Sequence, residues 1–440
     1  MSYGNKPNEI RHPQAALLAE EYVCQRIQSL GYTADLNSEE VNQLTDSDVV
    51  EVVDADPTVS LTIDINEFGS INIYNQLAGN VLFPVNLSAA VLANPTWDGN
   101  TVDNTNANDG TITHNQLGEV GVDFLVPIKE TADGTTTRAL WFSNCFIDSM
   151  SGTYQVDGFA SESISMSGSA QQWFLNAWAG ARVGVGDFLG AGGVDHSVTD
   201  IGTDASIVYL TEDGIKLDSQ YWTVSSTQFV TAGGYSYKSD SRYRYVYIPA
   251  TPAFPTLPQD TGTLIGGVKE GELELILWDE NLGGEPLVGT AGASGFKALR
   301  VQSVDFEIAF DREDLKQLYT GTYYKGLNTI NVSATINVLD SDLEMWSLAT
   351  GNLSDYTTGT LNTLSLSDFQ TMSGLGLRID VFNTKDYLQH TTDTLLKSIT
   401  LVSGKVTSVS DSRDVPGRGS QTFEIEFSKA HITGTGLVGR

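Results

Sequence analysis

In the stretch Val59-Ser-Leu-Thr-Ile-Asp-Ile-Asn66, Val59, Leu61, Ile63 and Ile65 alternate with Ser60, Thr62, Asp64 and Asn66. A period of two predicts a strand with one dry and one wet face, as antiparallel sheets use. The alternation returns in Val332-Ser-Ala-Thr-Ile-Asn-Val-Leu339, and acid and apolar residues alternate in Glu270 to Trp278. Elsewhere the spacing changes to three and four, as at Leu339, Leu343 and Trp346. That spacing predicts a helix covering one face of a sheet. Asn37 and Asp311 each precede an acid by three residues, which predicts a short capped turn or helix after the first strand of each unit.

The patterned segments occur twice. Arg26 to Leu44 (RIQSLGYTADLNSEEVNQL) aligns without gaps on Arg300 to Leu318 (RVQSVDFEIAFDREDLKQL), an offset of 274. Arg, Gln, Ser, Glu, Gln and Leu recur identically, and Leu30/Val304, Tyr32/Phe306 and Leu36/Phe310 keep their character. VSLTIDIN matches VSATINVL, and EFGSINIYNQLAG, ending at Gly79, lies opposite DSDLEMWSLATG, ending at Gly351. Weaker matches set GVDFLVPIK (from Gly121) against GLRIDVFNTK (from Gly376), and ALWFSNCFIDSMSG (from Ala139) against LLKSITLVSGKVTS (from Leu395). SESISMSGS (from Ser161) falls opposite SQTFEIEFS (from Ser420). The chain reads as two copies of one β-rich unit. Glu270 to Trp278 reads as the first strand of the second copy, without an evident counterpart in the first.

A Gly-, Tyr- and Pro-rich stretch separates the copies, from GVGDFLGAGG through SRYRYVYIPA to ATPAFPTLPQD. The expected organisation is therefore a first β domain over 1–180, an insert and linker over 181–265, and a second β domain over 266–440. The fold class is mainly β: two tandem β-sandwich or half-barrel domains, each flanked by a helix.

Charge narrows the partners. The 440 residues carry 55 acids against 24 Lys and Arg, a net of −31. Residues 51–100 contain no base. Tight binding to a phosphate backbone or an anionic membrane needs clustered Lys and Arg, so both are disfavoured. The start MSYGNKPNEIRHPQ has no apolar leader segment, so synthesis in a host cytoplasm is expected. Cys24 and Cys145 lack disulfide-framework or metal-ligand spacing and read as buried thiols.

The usual catalytic constellations do not assemble. His12, His114, His196, His390 and His431 are scattered without the spacing of a zinc helix. Gly184 to Gly190 carries one residue too many for a dinucleotide fingerprint, and no GxSxG elbow or P-loop occurs. Acid pairs such as Asp54/Asp56 and Glu272/Glu274 are what so acidic a chain places on solvated faces. No enzyme, cofactor or metal is expected. The tryptophans read mostly as core, with a sugar platform as the other use.

A duplicated unit of this order resembles the tail tube proteins of tailed bacteriophages, of the long-tailed kind in which the tube domain is duplicated within one chain. The resemblance covers residues 20–180 and about 266–435. It implies a virion structural protein whose sheets join between subunits into a closed barrel. Two-domain subunits would form homotrimeric, pseudo-hexameric rings that stack into a conduit for genome ejection. Its partners would be further copies of itself, a tape measure, a tail terminator and tail-tip or baseplate proteins, with DNA passing through ungripped. Carried onto this chain, the wet strand faces give Thr62, Asp64, Thr335 and Asn337 as lumen-facing. The ring-stacking loops would be Thr45–Pro57, with Asp46, Asp48, Glu51, Asp54 and Asp56, and Tyr319–Thr329, with Tyr319, Tyr323, Tyr324 and Lys325. The competing class is a tandem β-sandwich adhesin that binds a receptor or glycan.

Overall fold

The alternating segments become antiparallel strands, and the two halves of the chain pair theirs in the same order. A computed structural model describes 27–35, 58–66, 72–78, 111–119, 121–129, 138–155, 160–168 and 170–175 in the first half. In the second it describes 273–281, 295–297, 301–316, 323–339, 343–372, 374–382, 395–413 and 419–434, with short strands elsewhere, chiefly before 25, at 38–54, at 96–101 and between 182 and 248. In the first half the elements are β1 (Leu18–Ala19), β2 (Ile27–Asp35), β3 (Thr58–Ile65), α1 (Asn72–Leu77), β4 (Thr111–Thr113), α2 (His114–Glu119), β5 (Val122–Lys129), β6 (Arg138–Gln155), β7 (Ser161–Gly168) and β8 (Ala170–Leu175). The second half has β9 (Leu273–Asp279), β10 (Val301–Lys316), β11 (Tyr323–Val338), α3 (Glu344–Ala349), α4 (Leu353–Thr358), α5 (Leu366–Thr371), β12 (Leu375–Phe382), β13 (Leu395–Arg413), β14 (Gly419–Phe427) and β15 (Lys429–Gly434).

In the first half an inner sheet runs β2-β3-β7-β6 and an outer one β1-β5-β6-β8. In the second the inner sheet is β10-β11-β14-β13 and the outer is β9-β12-β13-β15. The long strands β6 and β13 serve both sheets, crossing between them at Asn144 (φ 53) and Ser403 (φ 58). Left-handed backbone is unusual outside glycine. These two residues occupy the same place in the two halves. β-Bulges repeat as well, at Ile27/Ser29 and Val301/Ser303, and at Ile147/Ser149 and Val406/Ser408.

The inner sheets do not end at the boundary between the halves. Ser149 to Gln155 of β6 pair with Ser303 to Ala309 of β10, which gives one continuous eight-stranded sheet, β2-β3-β7-β6-β10-β11-β14-β13. Its dry face carries Leu61, Ile63, Ile164, Phe306, Ile336 and Phe423, each at most 2% exposed, and packs into a core shared with the outer sheets and helices. Burial of such side chains contributes about 1.5–3 kcal/mol each. At the seam the Phe306 ring lies on Gly152 and stacks with Tyr154, centroids 6.1 Å apart. A second crossing joins the halves farther out, where β4 of the first half adds to β15 of the second, Ile112 opposite Ile432.

Between the halves, Arg182–Leu189, Ser206–Thr211 and Arg242–Ile248 pair with one another in a separate sheet. Four expectations are corrected. No capped helix follows Asn37 or Asp311: Ser38–Asn42 is a strand paired with Val49–Asp54, and Asp311 lies inside β10. The acid three residues on is outweighed there by backbone pairing with an opposing strand. The weaker alignments were displaced by two residues at β5/β12 and by three at β6/β13, because Val122 corresponds to Leu375 and Cys145 to Gly404. Finally, β9 does have a counterpart: the two-residue β1 pairs with β5 as β9 pairs with β12.

A Cβ at Gly152 would stand 2.3 Å from Phe306 Cε1. Gly152→Ala is therefore expected to destabilise the chain by about 1–3 kcal/mol through overpacking at the seam. Denaturant unfolding measures it, and an unchanged midpoint would contradict the seam packing.

Candidate functional site: the polar sheet face and its free edges

Because strand side chains alternate, the inner sheet presents a second, wet face. Cross-strand register aligns it in rows. One runs Ser29, Asp64, Ser163, Ser151, Glu307, Ser333, Glu426, Lys405 across all eight strands. Another runs Ser161, Thr153, Asp305, Thr335, Glu424, Ser408. Thr62, Asp64, Thr335 and Asn337 thus all stand on one face, with Thr62 exposed and the other three half-buried. Ser29 Oγ donates to Asp64, and at the matching place Asn337 Nδ2 donates to Ser303 Oγ at 2.8 Å. Thr422 Oγ1 also donates to Asn337 Oδ1, at 2.7 Å.

The face is made of hydroxyls and carboxylates. Asp35, Asp64, Asp305, Glu307, Glu424 and Glu426 share it with serines and threonines, while Lys405 stands on its last strand. Lys325 reaches the end of the face, where its Nζ donates to Ser167 Oγ at 2.6 Å and Ser167 Oγ donates to Asp148. Such a surface raises a negative potential with few cations to bind phosphate. Of the ring-stacking candidates, Glu51 and Asp54 lie on the strand Val49–Asp54, and Tyr323, Tyr324 and Lys325 begin β11. These are arms of hairpins rather than loops. Asp46, Asp48, Asp56 and Tyr319 lie outside the described residues.

A group not anticipated from the sequence ties the halves together. Glu162 of β7 and Lys397 of β13 are fully buried, with Nζ donating to Oε1 at 2.5 Å. Tyr74 and Tyr154 also donate their hydroxyls to Glu162, and Lys397 Nζ lies 5.1 Å from the centre of the Tyr74 ring. Burial, then the Glu162 charge, pushes the Tyr154 phenol well above its ordinary value. The available signal was parity, since Glu162 falls on the side of the strand that carries Ile164 and Met166. At the seam's other end Arg312 Nε donates to Ile147 O and Nη2 to Gly118 O, both at 2.8 Å, over the Phe146 ring. Burial lowers the Arg312 pKa, and Asp148 works against that shift.

The sheet has two free edges among the described residues. One is β2, exposed from Gly31 to Asp35; the other is the second half of β13. Tyr32 on β2 is 44% exposed, whereas its counterpart Phe306, at the internal seam, is 2% exposed. Cys24 and Cys145 are buried thiols. Trp141 and Trp278 are core residues, while Trp173 on β8 is 39% exposed.

The polar face and its edges define a mainly β, antiparallel protein whose inner sheet ends on two unpaired edge strands among the described residues. No protein-family model and no curated protein matches the sequence. Among solved structures, a chain of the sheath–tube complex of the PVC extracellular contractile injection system is similar over 41% of this chain and 100% of its own, at 12% identity and a TM-score of 0.25. The SPP1 tail tube is similar over 39% of this chain and 81% of its own, at 10% identity and 0.24. Hcp1 from Salmonella typhimurium covers 38% of this chain and 90% of its own, at 13% identity and 0.20. At such scores the function has to be read from the chain's own strands.

Lys397→Met would leave Glu162 as an uncompensated buried charge, at an expected cost of about 3–5 kcal/mol. Adding Glu162→Gln is expected to recover most of that loss. Equilibrium unfolding of the parent, the single variant and the double variant measures both effects, and equal stability of the single and double variants would rule out the pair as a charge lock.

Proposed function

We propose that this chain is a structural protein of a phage tail, a tail tube protein whose copies join through the edges of the inner sheet into rings. The observation that carries the reading is the internal seam. Inside one chain, β6 of the first half already pairs with β10 of the second; the remaining edges, β13 and β2, are the same two strand positions without a partner among the described residues. A sheet edge that can pair is stabilised by doing so. Head-to-tail joining of β13 to β2 of the next copy repeats the seam, and a rotation that closes gives a ring.

Three copies of the eight-stranded sheet make a 24-stranded barrel. At about 4.8 Å between strands and a tilt near 40°, such a barrel measures roughly 45–50 Å across its backbone. Its wet face then lines the lumen, with Thr62, Asp64, Thr335 and Asn337 on it. A hydroxyl and carboxylate lining repels a nucleic acid backbone, as a conduit for a genome requires. The acidic Asp46–Asp56 segment and the Tyr323–Lys325 arm are the proposed contacts between stacked rings. The two tube domains are 1–180 and 266–440, with 181–265 as an insert.

Electron micrographs of concentrated protein are expected to show rings or tubes with three-fold symmetry and a six-fold outline. Persistent monomers that bind an oligosaccharide would refute the reading. In assembled particles, Thr62→Lys with Thr335→Lys is expected to slow DNA release, and release at the parental rate would remove both residues from the lumen.

A further inference from the structure

The outer crossing supplies a template for a second joint. Within the chain, Thr111, Ile112 and Thr113 add to β15 opposite Thr433, Ile432 and His431, and bury Ile112 and Ile432 to 0% and 1%. The helix that follows, α2, is capped by Thr113 and Gln116, with Thr113 N donating to Gln116 Oε1 at 2.8 Å. The second half carries the same device unused. There α5 is capped by Ser365 and Asp368, with Ser365 N donating to Asp368 Oδ2 at 2.7 Å, and Ser365 is extended. The residues before it, Thr363 and Leu364, belong to no strand, and Leu366 just after is 69% exposed.

The strand that such an arm would meet is present and open. β8 pairs with β6 as β15 pairs with β13, Gln171 opposite Phe142 matching Ala430 opposite Leu401. The far edge of β8 has no strand on it among the described residues, and Trp173, in the place of Ile432, is 39% exposed. We propose that the arm 363–365 of one copy adds as a strand to β8 of a second copy of this chain, Leu364 opposite Trp173, Thr363 opposite Phe174 and Ser365 opposite Gln172. The inference rests on the head-to-tail ring reading and gives it an outer clasp, distinct from the inner β13-to-β2 joint.

Two buried polar atoms fit the same operation. Gln421 stands where Glu162 stands in the first half, and it is 1% exposed with Oε1 lacking a hydrogen-bond partner among the described residues. Trp346 Nε1, on the helix matching that of Tyr74, lacks one among the described residues too. Within the chain the corresponding place is completed by Lys397 from the neighbouring half. Its counterpart by strand register in a second copy is position 138 of β6.

The test uses full-length protein with Leu364→Lys, Trp173→Glu, and both together. Leu364 and Trp173 lie at least partly open in the single chain, so all three variants are expected to melt with the parent. Each single change is expected to raise the concentration needed for ring or tube formation at least tenfold, and the pair to restore it. In parallel, Leu364→Cys with Trp173→Cys is expected to form intermolecular disulfides on oxidation, giving covalent trimers where rings close. Rings that assemble normally with both single charge variants, and with no 364–173 disulfide, would overturn the clasp while leaving the ring reading standing. Absence of both assembly and cross-link, from the parent onward, would overturn both.

Discussion

Everything in this chain depends on backbone hydrogen bonding at the edges of one sheet. Every strand residue carries a donor and an acceptor that must be paired or solvated, and an eight-stranded sheet spends its pairs internally except on its two outermost strands. Within the molecule that constraint is already solved once, where β6 and β10 bond along Ser149–Gln155 and Ser303–Ala309. The rest follows from keeping that seam dry on one side and wet on the other. Phe306 and Tyr154 close the dry side above Gly152, and serines and carboxylates fill the wet side. Lys397 and Glu162 pin the halves in register from within the core. A buried ion pair is weak evidence for net stability, but it penalises any slipped register in which either charge lacks its partner.

How far the sequence disclosed this varies with the patterning of each strand. The strands β3 and β11 were legible because one face of each is wet, so a shift of one residue would turn every side chain over. The same alternation placed Thr62, Asp64, Thr335 and Asn337 on one face. The outer strand β12, by contrast, is buried at all its positions. Its sequence LGLRIDVF still alternates, with Arg378 and Asp380 paired inside the core, and a slip of two residues keeps that parity, so alternation left β5 two residues off β12; β6 slid by three against β13. β1 escaped notice because two residues hold no pattern. The buried Glu162–Lys397 cluster was hidden by the opposite effect, since an acid in an acid-rich chain draws no attention unless its parity is checked.

The left-handed residues Asn144 and Ser403 explain how one long strand in each half can belong to both the inner and the outer sheet. Each lets a single strand leave the outer sheet and enter the inner one. The outer sheets, with Trp141 and Trp278 in their cores, therefore hold the inner sheet through covalent backbone as well as side-chain packing. That rigidity suits the lumen lining proposed for the wet face.

Placing two units in one polypeptide has a consequence for assembly. In the proposed ring of six such units, every second joint is closed when the chain folds, at an effective concentration set by tethering rather than by the solution. Three joints between molecules then replace six, and the rotational and translational freedom lost at each of the other three is not lost in the encounter of separate molecules. In that proposed ring the two classes of joint are free to diverge, since only the one inside the chain carries the buried Lys397–Glu162 pair.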